Sequence, residues 1–367
     1  MKTLALLLIL PFSAVLGAYF GGAYSFLAPI IMLLLIPVLD LWIGEGDIKD
    51  HIQPPIDKKW FKYLVTVSSL LFYTAMAMLF KEADYLTAVG TVLSSGIITG
   101  FIIHNLALEV AIDEEEDAKF LGCIMLAPIC YGHHIFQTLH NHSHYVATKK
   151  DPHTAAYKES LPSFIKRSVP SAIKQIWKYE AYRLRKIGLS KYHYKNRFLI
   201  SIFAGYFIAI LTYSSLNVAG LCFFIINSIC SIAIIEATNY VSHYGTNRRN
   251  RRHGGYEPIE AKHAWDSDFA LSNYILVAFS YHSGRHLNWK RPRRNLERQE
   301  ESPKLPYGYI TMVWIAFIPI LWSYIMEPLA QRLHRNLPLD LKQERRKKVR
   351  ENKNERESEE DKKSSLQ

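Results

Sequence analysis

The sequence predicts an all-α integral membrane protein with six transmembrane helices and a histidine-rich cytoplasmic cap. Three features predict this fold class: long uncharged apolar runs, basic segments between them, and histidines clustered near the ends of the runs. Of the 367 residues, 49% are hydrophobic, yet the net charge is +11. Since apolar and basic residues occupy different segments, the two or three soluble domains that the length would ordinarily suggest are not predicted.

Six apolar runs are long enough to cross a membrane, because about 20 apolar residues span a hydrocarbon core roughly 30 Å thick. They lie at approximately Thr3–Phe20, Tyr24–Ile43, Phe61–Phe80, Tyr85–His104, Phe198–Tyr213 and Val218–Tyr240. The first follows Lys2 and ends in small residues, so a cleaved signal peptide is the competing interpretation of this run. A second run follows immediately, which favours a helical hairpin.

A seventh run, Tyr309–Met326, is interrupted by Pro319. Basic segments flank it on both sides, and they would lie on one membrane face only if the run did not cross. We therefore expect an interfacial or re-entrant helix. It completes a membrane domain of residues 1–328, and residues 329–367 form a charged cytoplasmic tail, either a solvated helix or a disordered end.

The basic residues set the orientation, because cytoplasmic loops retain Lys and Arg. If the N-terminus is cytoplasmic, the three outward connections carry one basic residue, Lys81. We therefore expect both termini in the cytoplasm and the protein in the inner membrane. Cations such as Arg248 and Arg249 directly follow a membrane run, where orientation and lipid contact account for them, so no nucleic-acid partner is expected.

The four cysteines, Cys123, Cys130, Cys222 and Cys230, include no C-x-x-C pair. Four cysteines in so long a chain are too few for a disulfide scaffold, and the lack of a C-x-x-C pair excludes a zinc-ribbon, rubredoxin-like or thioredoxin-like site within the chain. Neither a secreted disulfide protein nor a self-contained electron-transfer domain is predicted.

The fifteen histidines form clusters, most of them at the predicted cytoplasmic face. The main members are His104 and His243 at the ends of two runs, and the pairs His140/His144 and His282/His286. Neutral imidazole is a common ligand for iron, copper and zinc, and a four-residue spacing places two rings on one helical face. Several clusters at one membrane face therefore indicate a metal site.

Other histidines have simpler interpretations. We expect His133 and His134 to be packing or capping residues. His263 is either a residue that orients a metal ligand or a loop residue. The surface residues are expected to be His51, His153, His193, His253 and His334.

Several segments resemble the alkane 1-monooxygenases, integral-membrane hydroxylases related to the fatty-acid desaturases. They are Asp40-Leu41-Trp42-Ile43-Gly44, Val146-Ala147-Thr148 with Asp151-Pro152, Asn239-Tyr240-Val241-Ser242-His243-Tyr244-Gly245, His263-Ala264-Trp265-Asp266-Ser267, His282-Ser283-Gly284-Arg285-His286 and Leu305-Pro306-Tyr307-Gly308-Tyr309. Their order and separation also fit, so the resemblance runs from about Pro37 to Pro328.

The resemblance implies a six-helix, fatty-acid-desaturase-like membrane domain whose cytoplasmic end holds two irons among histidines. Such enzymes activate dioxygen and insert one oxygen atom into a terminal C–H bond of a hydrophobic substrate that reaches the site from the bilayer. They receive electrons from a rubredoxin or ferredoxin and its reductase. The lack of a C-x-x-C pair here agrees with a separate electron carrier.

The histidine boxes of that family are H-E-x-x-H, E-H-x-x-G-H-H, N-Y-x-E-H-Y-G and H-S-x-H-H, and this chain matches them incompletely. By position, the carried-over ligands are His104, His142, His243, His282 and His286. The other ligand positions hold Leu108, Thr138, Ser143 and Arg285, which do not ligate as imidazole does.

Three states of the site remain open: a rearranged di-iron site that uses His140 and His144, a single-metal site, and a site without metal. Glu109 and Glu236 could supply carboxylates. Arg285 would oppose metal binding unless its guanidinium turns away to a carboxylate or a phosphate.

The leading functional hypothesis is an iron-dependent membrane monooxygenase that hydroxylates the end of an alkyl or acyl chain in lipid metabolism. Around the metal ligands, Glu236, His263 and Asn239 are the expected supporting residues. The alternatives are a non-catalytic membrane homologue that binds a lipid or a partner, and a fatty-acid desaturase or other lipid hydroxylase.

Overall fold

The computed structural model describes residues 2–46, 58–112, 115–251, 254–277, 279–288, 296 and 299–333. Within these ranges the regular elements are helices, together with isolated β-bridges. The expectations for His51, His253, His334 and most of the charged tail fall outside the described residues.

The first four helices are α1 (Lys2–Phe20), α2 (Gly22–Ile43), α3 (Lys59–Lys81) and α4 (Tyr85–Ala111). Asp84 caps α4, because its carboxylate accepts a hydrogen bond of 2.7 Å from the amide of Thr87. A π-helical turn, Thr99–Ile103, interrupts α4 directly before His104. Such turns are frequent at functional sites because they redirect the side chains that follow.

The next four helices are α5 (Glu116–Met125), α6 (133–145), α7 (Leu161–Lys186) and α8 (Arg197–His243). Helix α6 contains a second π turn, Thr138–His142. Helix α8 has 47 residues and breaks at Asn217, whose φ of 55° is left-handed. Each part of α8 is long enough for one crossing, and the break falls between the fifth and sixth apolar runs.

The last helices are α9 (Ala270–Ile275), α10 (His282–Leu287), α11 (Tyr309–Ala316) and α12 (319–333). The seventh apolar run is thus two helices, and the second begins at Pro319, where a proline is well tolerated. Helix α11 is largely buried, and the indole of Trp314 donates a 3.2 Å hydrogen bond to the carbonyl of Met32 in α2.

Four helices of the described chain are long and apolar enough to cross a membrane: α2, α3, α4 and the double-length α8. Helix α1 contributes a shorter apolar segment, Leu8–Phe20. Large apolar side chains stand exposed along these helices, for example Leu71, Phe203 and Ile229. A water-soluble monomer rarely shows so much exposed apolar surface, so the chain is an integral membrane protein.

Two glycines bring α4 against α8. A Cβ at Gly96 would lie 2.5 Å from Cys230 Cβ, and one at Gly100 would lie 2.6 Å from Ile234 Cβ. Small residues four apart allow such close helix contacts in membranes. Because His104 is the next residue at this spacing, the same face of α4 carries it toward the buried histidines.

Candidate metal centre

Four buried histidines from three helices converge on one point. His142 ends the π turn of α6, His243 is the last residue of α8, and His282 and His286 lie one turn apart on α10. One ring nitrogen from each lies within 4.8 Å of the others. The i, i+4 spacing on α10 therefore supplies half of the group.

Three of these rings present their Nε2 atoms to one another. The Nε2 atom of His282 lies 2.9 Å from that of His243 and 3.1 Å from that of His286. The His243 and His286 Nε2 atoms are 3.3 Å apart. A neutral imidazole has one N–H donor, so three converging ring nitrogens are a poor hydrogen-bonding arrangement.

The same spacing suits a metal ion. Nitrogen ligands about 2.1 Å from an ion, at tetrahedral or octahedral angles, lie roughly 3.0 to 3.4 Å from each other. The Nε2–Nε2 separations of 2.9 to 3.3 Å fall close to this interval. Burial lowers the pKa of His282 and of His286 well below the ordinary value, with further lowering from neighbouring imidazoles. Both rings are therefore neutral, as a ligand must be.

Two of the rings are oriented through their other nitrogen. His142 Nδ1 lies 2.9 Å from a carboxylate oxygen of Asp151, and His243 Nδ1 lies 3.2 Å from the backbone carbonyl of His263. An Nδ1–H donor in each case leaves Nε2 with its lone pair toward the site. The backbone of His263 makes this contact, whereas its imidazole bonds Glu257 and the amide of Glu260.

Asp151 is well suited to this task. Burial alone would raise its pKa, but the His142 imidazole and the Thr154 hydroxyl favour the carboxylate and hold that pKa below the usual range. Thr154 Oγ1 donates a 2.6 Å hydrogen bond to Asp151 Oδ2. The carboxylate is thus ionised and fixed beside His142.

Helix α10 is held at its first turn by Asp266. The amide and the hydroxyl of Ser283 donate hydrogen bonds of 2.7 and 2.5 Å to the two carboxylate oxygens of Asp266. Ser302 donates a third, of 2.8 Å. A carboxylate at a helix N-terminus satisfies free amides there. Asp266 therefore fixes the helix that carries His282 and His286.

A second buried group lies beside the first. It consists of His134 on α6, His153 in the following loop, and Glu236 inside α8, with one ligand atom of each within 4.8 Å of the others. The rings of His153 and His142 are 5.6 Å apart between centroids. His153 is completely buried, so its assignment as a surface residue was wrong. The polar residues around it, Glu236 and Asn239, belong to α8. The sequence next to His153 therefore does not indicate that this histidine is buried.

The remaining predicted ligands are elsewhere. The ring of His104 packs on that of His134 at 5.1 Å and is not in the four-histidine group. His140 stacks on Tyr179 and lies 3.1 Å from Arg197, while His144 is exposed. Neither belongs to the two buried groups. The geometry therefore does not support a rearranged site that uses His140 and His144.

Arg285 points toward a carboxylate. Its Nη1 atom lies 3.7 Å from Glu109 Oε2, and both side chains are buried. Glu109 thus offsets part of the guanidinium charge. The remaining positive charge still contributes to lowering the pKa of His282 and of His286.

A narrow cavity adjoins both groups. His134, His142, His282 and His286 line it together with apolar residues that include Leu108 and Phe279. Its volume of about 20 Å³ is enough for a water-sized molecule. A chain of several carbon atoms does not fit this space without side-chain movement.

Comparison with known proteins finds a matching family model and several similar proteins. The fatty acid desaturase family model matches residues 85–316. Alkane 1-monooxygenase 2 of Pseudomonas aeruginosa is 28% identical over 85% of this chain and 86% of its own length. Alkane 1-monooxygenase 1 of the same organism is 29% identical over 72% of this chain and 69% of its own length. The xylene/toluene monooxygenase hydroxylase component of Pseudomonas putida is 22% identical over 84% of this chain.

Proposed function

The chain belongs to the fatty acid desaturase family, and from this premise we propose that it is an iron-dependent membrane monooxygenase hydroxylating the end of an alkyl chain. The observation that carries the proposal is the convergence of His142, His243, His282 and His286 on one buried point. The relatives named alkane 1-monooxygenase supply the reaction class.

We assign the four histidines as iron ligands. When bound, the iron supplies the activation of dioxygen, which organic side chains do not perform. The ligand set is all nitrogen, and the carboxylate of Asp151 bonds the other ring nitrogen of His142. The site therefore retains the imidazole character of the family boxes in spite of the substitutions.

The protein orients the metal ligands and excludes water from the site. Asp151 and the carbonyl of His263 fix the tautomers of two ligands, and Asp266 fixes the helix of the other two. The apolar side chains of Leu108, Leu139 and Phe279 line the cavity beside the ligands. Exclusion of bulk water protects a reactive site from side reactions.

The substrate in this proposal enters from the bilayer. Alkanes partition into lipid, and most of the side chains on the outer surface of α2, α3 and α8 are apolar. A second, larger cavity of about 310 Å³ lies between α1, α3 and α4 and is lined almost entirely by apolar residues. Ile103 and Leu106, which flank His104 in α4, belong to its wall.

We propose a rubredoxin- or ferredoxin-type electron donor that docks on the cytoplasmic side. A groove there is lined by five basic residues, Lys149, Lys150, Arg167, Lys174 and Lys178. Asn141, the neighbour of His142, also lines it. A groove of one charge attracts a partner of the opposite charge, so the donor is expected to be acidic.

Metal analysis of the detergent-solubilised protein tests the proposal. We expect iron in the purified chain and loss of at least one iron per chain in His282→Ala and His243→Ala. His193→Ala, in a loop before α8, is the control and should keep its iron. Absence of iron after iron-replete expression overturns the proposal. With iron present, conversion of an alkane and fatty-acid chain-length series with a reconstituted donor identifies the substrate.

A further inference from the structure

We propose that His134, His153 and Glu236 form a second metal-binding site that takes a divalent transition-metal ion. The inference rests on the metal-dependent function proposed above and adds a separate ligand set to it. One ligand atom of each residue lies within 4.8 Å of the others, and all three side chains are buried. These residues come from α6, the loop after it, and α8.

The donor set is chemically appropriate. Two imidazoles and one carboxylate form the set found in non-haem iron(II) sites. The carboxylate of Glu236 is held by Tyr131, whose hydroxyl donates a 2.7 Å hydrogen bond, and by Ser168, whose hydroxyl donates one of 2.6 Å. Ligating carboxylates commonly have such supporting hydrogen bonds. Glu236 is thus oriented by neighbours on two other segments.

One ring nitrogen of His134 and one of His153 form no hydrogen bond with the described residues. His153 Nδ1 lies 3.4 Å from Glu236 Oε2, but His153 Nε2 has no such partner, and neither has His134 Nδ1. A buried polar atom without a partner costs about 1 to 3 kcal/mol. A simple His153–Glu236 ion pair leaves both atoms unexplained, whereas a metal site gives His134 and His153 a shared role.

The position of His134 is also informative. It lies one helical turn before Thr138, and its Nε2 atom is 3.4 Å from the Thr138 hydroxyl. Residues four apart share a helical face, so His134 presents an imidazole on the face of α6 where Thr138 lacks one. Leu108, Ser143 and Arg285 likewise provide no imidazole. A second ion therefore lacks imidazole ligands at these four positions. His134, His153 and Glu236 form the other buried group of potential ligands that the described residues bring together.

The two groups are close but use separate ligands. His142 belongs to the first and His153 to the second, with ring centroids 5.6 Å apart. Asn239 lies beside the second group, with its amide nitrogen 3.3 Å from both His153 Nδ1 and Glu236 Oε1. Because no ligand is shared, removal of one group should leave the other able to bind its ion.

The test is anaerobic loading of chelator-treated protein in detergent with iron(II), followed by desalting and elemental analysis. We expect two irons per chain in the wild type and one in Glu236→Gln, His153→Gln and His134→Gln. His282→Ala should lose the other ion and also retain one. His140→Gln, on α6 but outside both groups, is the matched control and should keep two.

Each outcome has one meaning. One iron in the wild type, unchanged by the three substitutions and lost in His282→Ala, overturns the second site but leaves the four-histidine site intact. No iron in the wild type overturns both proposals. Because the three variants alter three different segments, misfolding of one of them on size-exclusion chromatography leaves the other two to decide.

Discussion

The second nitrogen of a metal-binding imidazole decides where the first one points. His142 shows this directly, because Asp151 accepts the Nδ1–H at 2.9 Å and so directs Nε2 into the four-histidine group. His243 achieves the same with a backbone carbonyl. A carboxylate can be replaced by mutation without altering the backbone, which makes Asp151 the more accessible test of this principle.

Asp151→Asn should weaken iron binding about 10- to 100-fold, the usual effect of removing a residue that orients a ligand. An amide can present its N–H₂ to His142 Nδ1 and so favour the wrong tautomer. Competition with a graded iron chelator measures the change. Asp117→Asn, a partly exposed carboxylate paired with Lys59, is the control and should leave affinity unchanged. Equal affinity in both variants would contradict the orienting role.

The buried carboxyl group of Asp266 predicts that the stability of the folded protein depends on pH. Burial raises its pKa to about 6, although hydrogen bonds from Ser283 oppose the shift. Because the folded state then binds more protons than the unfolded state between about pH 4 and 6, stability falls as pH rises through this window. The free energy of unfolding should fall by on the order of 3 kcal/mol across this window, because each unit of difference between the folded and unfolded pKa corresponds to about 1.4 kcal/mol.

Asp266→Asn should abolish this part of the pH dependence, because asparagine does not titrate. The measurement is thermal unfolding of metal-free wild type and variant from pH 4 to pH 7, compared at each pH so that other groups cancel. The stability advantage of the wild type should be greatest near pH 4 and decline toward pH 6. An advantage that is constant with pH would contradict the buried, protonatable Asp266.

At the scale of helices, close packing of α4 on α8 determines where His104 lies. Gly96 and Gly100 let the two backbones approach, and the π turn Thr99–Ile103 then sets the register of His104. Valine at position 100 would put atoms where Ile234 already stands. Overpacking of this kind costs typically 1 to 3 kcal/mol.

Gly100→Val should therefore lower the midpoint of thermal unfolding and reduce iron content, because it separates α4 from the helix that carries Glu236 and His243. Leu71→Val, on an exposed face of α3, is the control and should change neither quantity. Unchanged iron content in a Gly100→Val protein would show that the α4–α8 contact does not position the metal ligands.

Helix α7 provides three of the basic residues of the groove, Arg167, Lys174 and Lys178. Lys174→Glu combined with Lys178→Glu should raise the KM for an acidic donor roughly tenfold at low salt and flatten its salt dependence. Steady-state kinetics against donor concentration measures this. Lys186→Glu, on the same helix outside the groove, is the control, and an equal effect there would point to general charge instead of docking.

At the scale of the whole molecule, the distribution of basic residues predicts which face of the membrane carries the metal ligands. The basic residue at the junction of α3 and α4 is Lys81, the last residue of α3, whereas the segment from α6 to α8 is rich in basic residues. The histidines lie on the second side. The site should therefore face the cytoplasm, where a soluble electron donor can reach it.

Cysteines placed at exposed positions test this topology. In intact spheroplasts, Glu82→Cys should react with a membrane-impermeant maleimide, whereas Lys186→Cys should react only after permeabilisation. The wild-type chain sets the background from its own cysteines. The opposite pattern would invert the orientation and place the metal ligands outside the cytoplasm.

The local pattern of the sequence determined the membrane character and much of the helix layout. Apolar runs of about 20 residues are a local consequence of bilayer thickness, and the break at Asn217 lies between two of them. The family was recognisable for a similar reason, since boxes such as His282 to His286 are short and ordered along the chain. The tail from residue 334 stays a prediction.

Only the tertiary structure decided which histidines meet. Spacing made His140 and His144 look like a ligand pair, yet α6 turns them to Arg197 and to the surface. His153 looked like a surface residue, yet Glu236 and Asn239, more than 80 positions later in the chain, enclose it. Helical periodicity places two rings on one face but does not determine what that face packs against. That depends on contacts between distant segments, here the packing of α6 and the loop after it against α7 and α8.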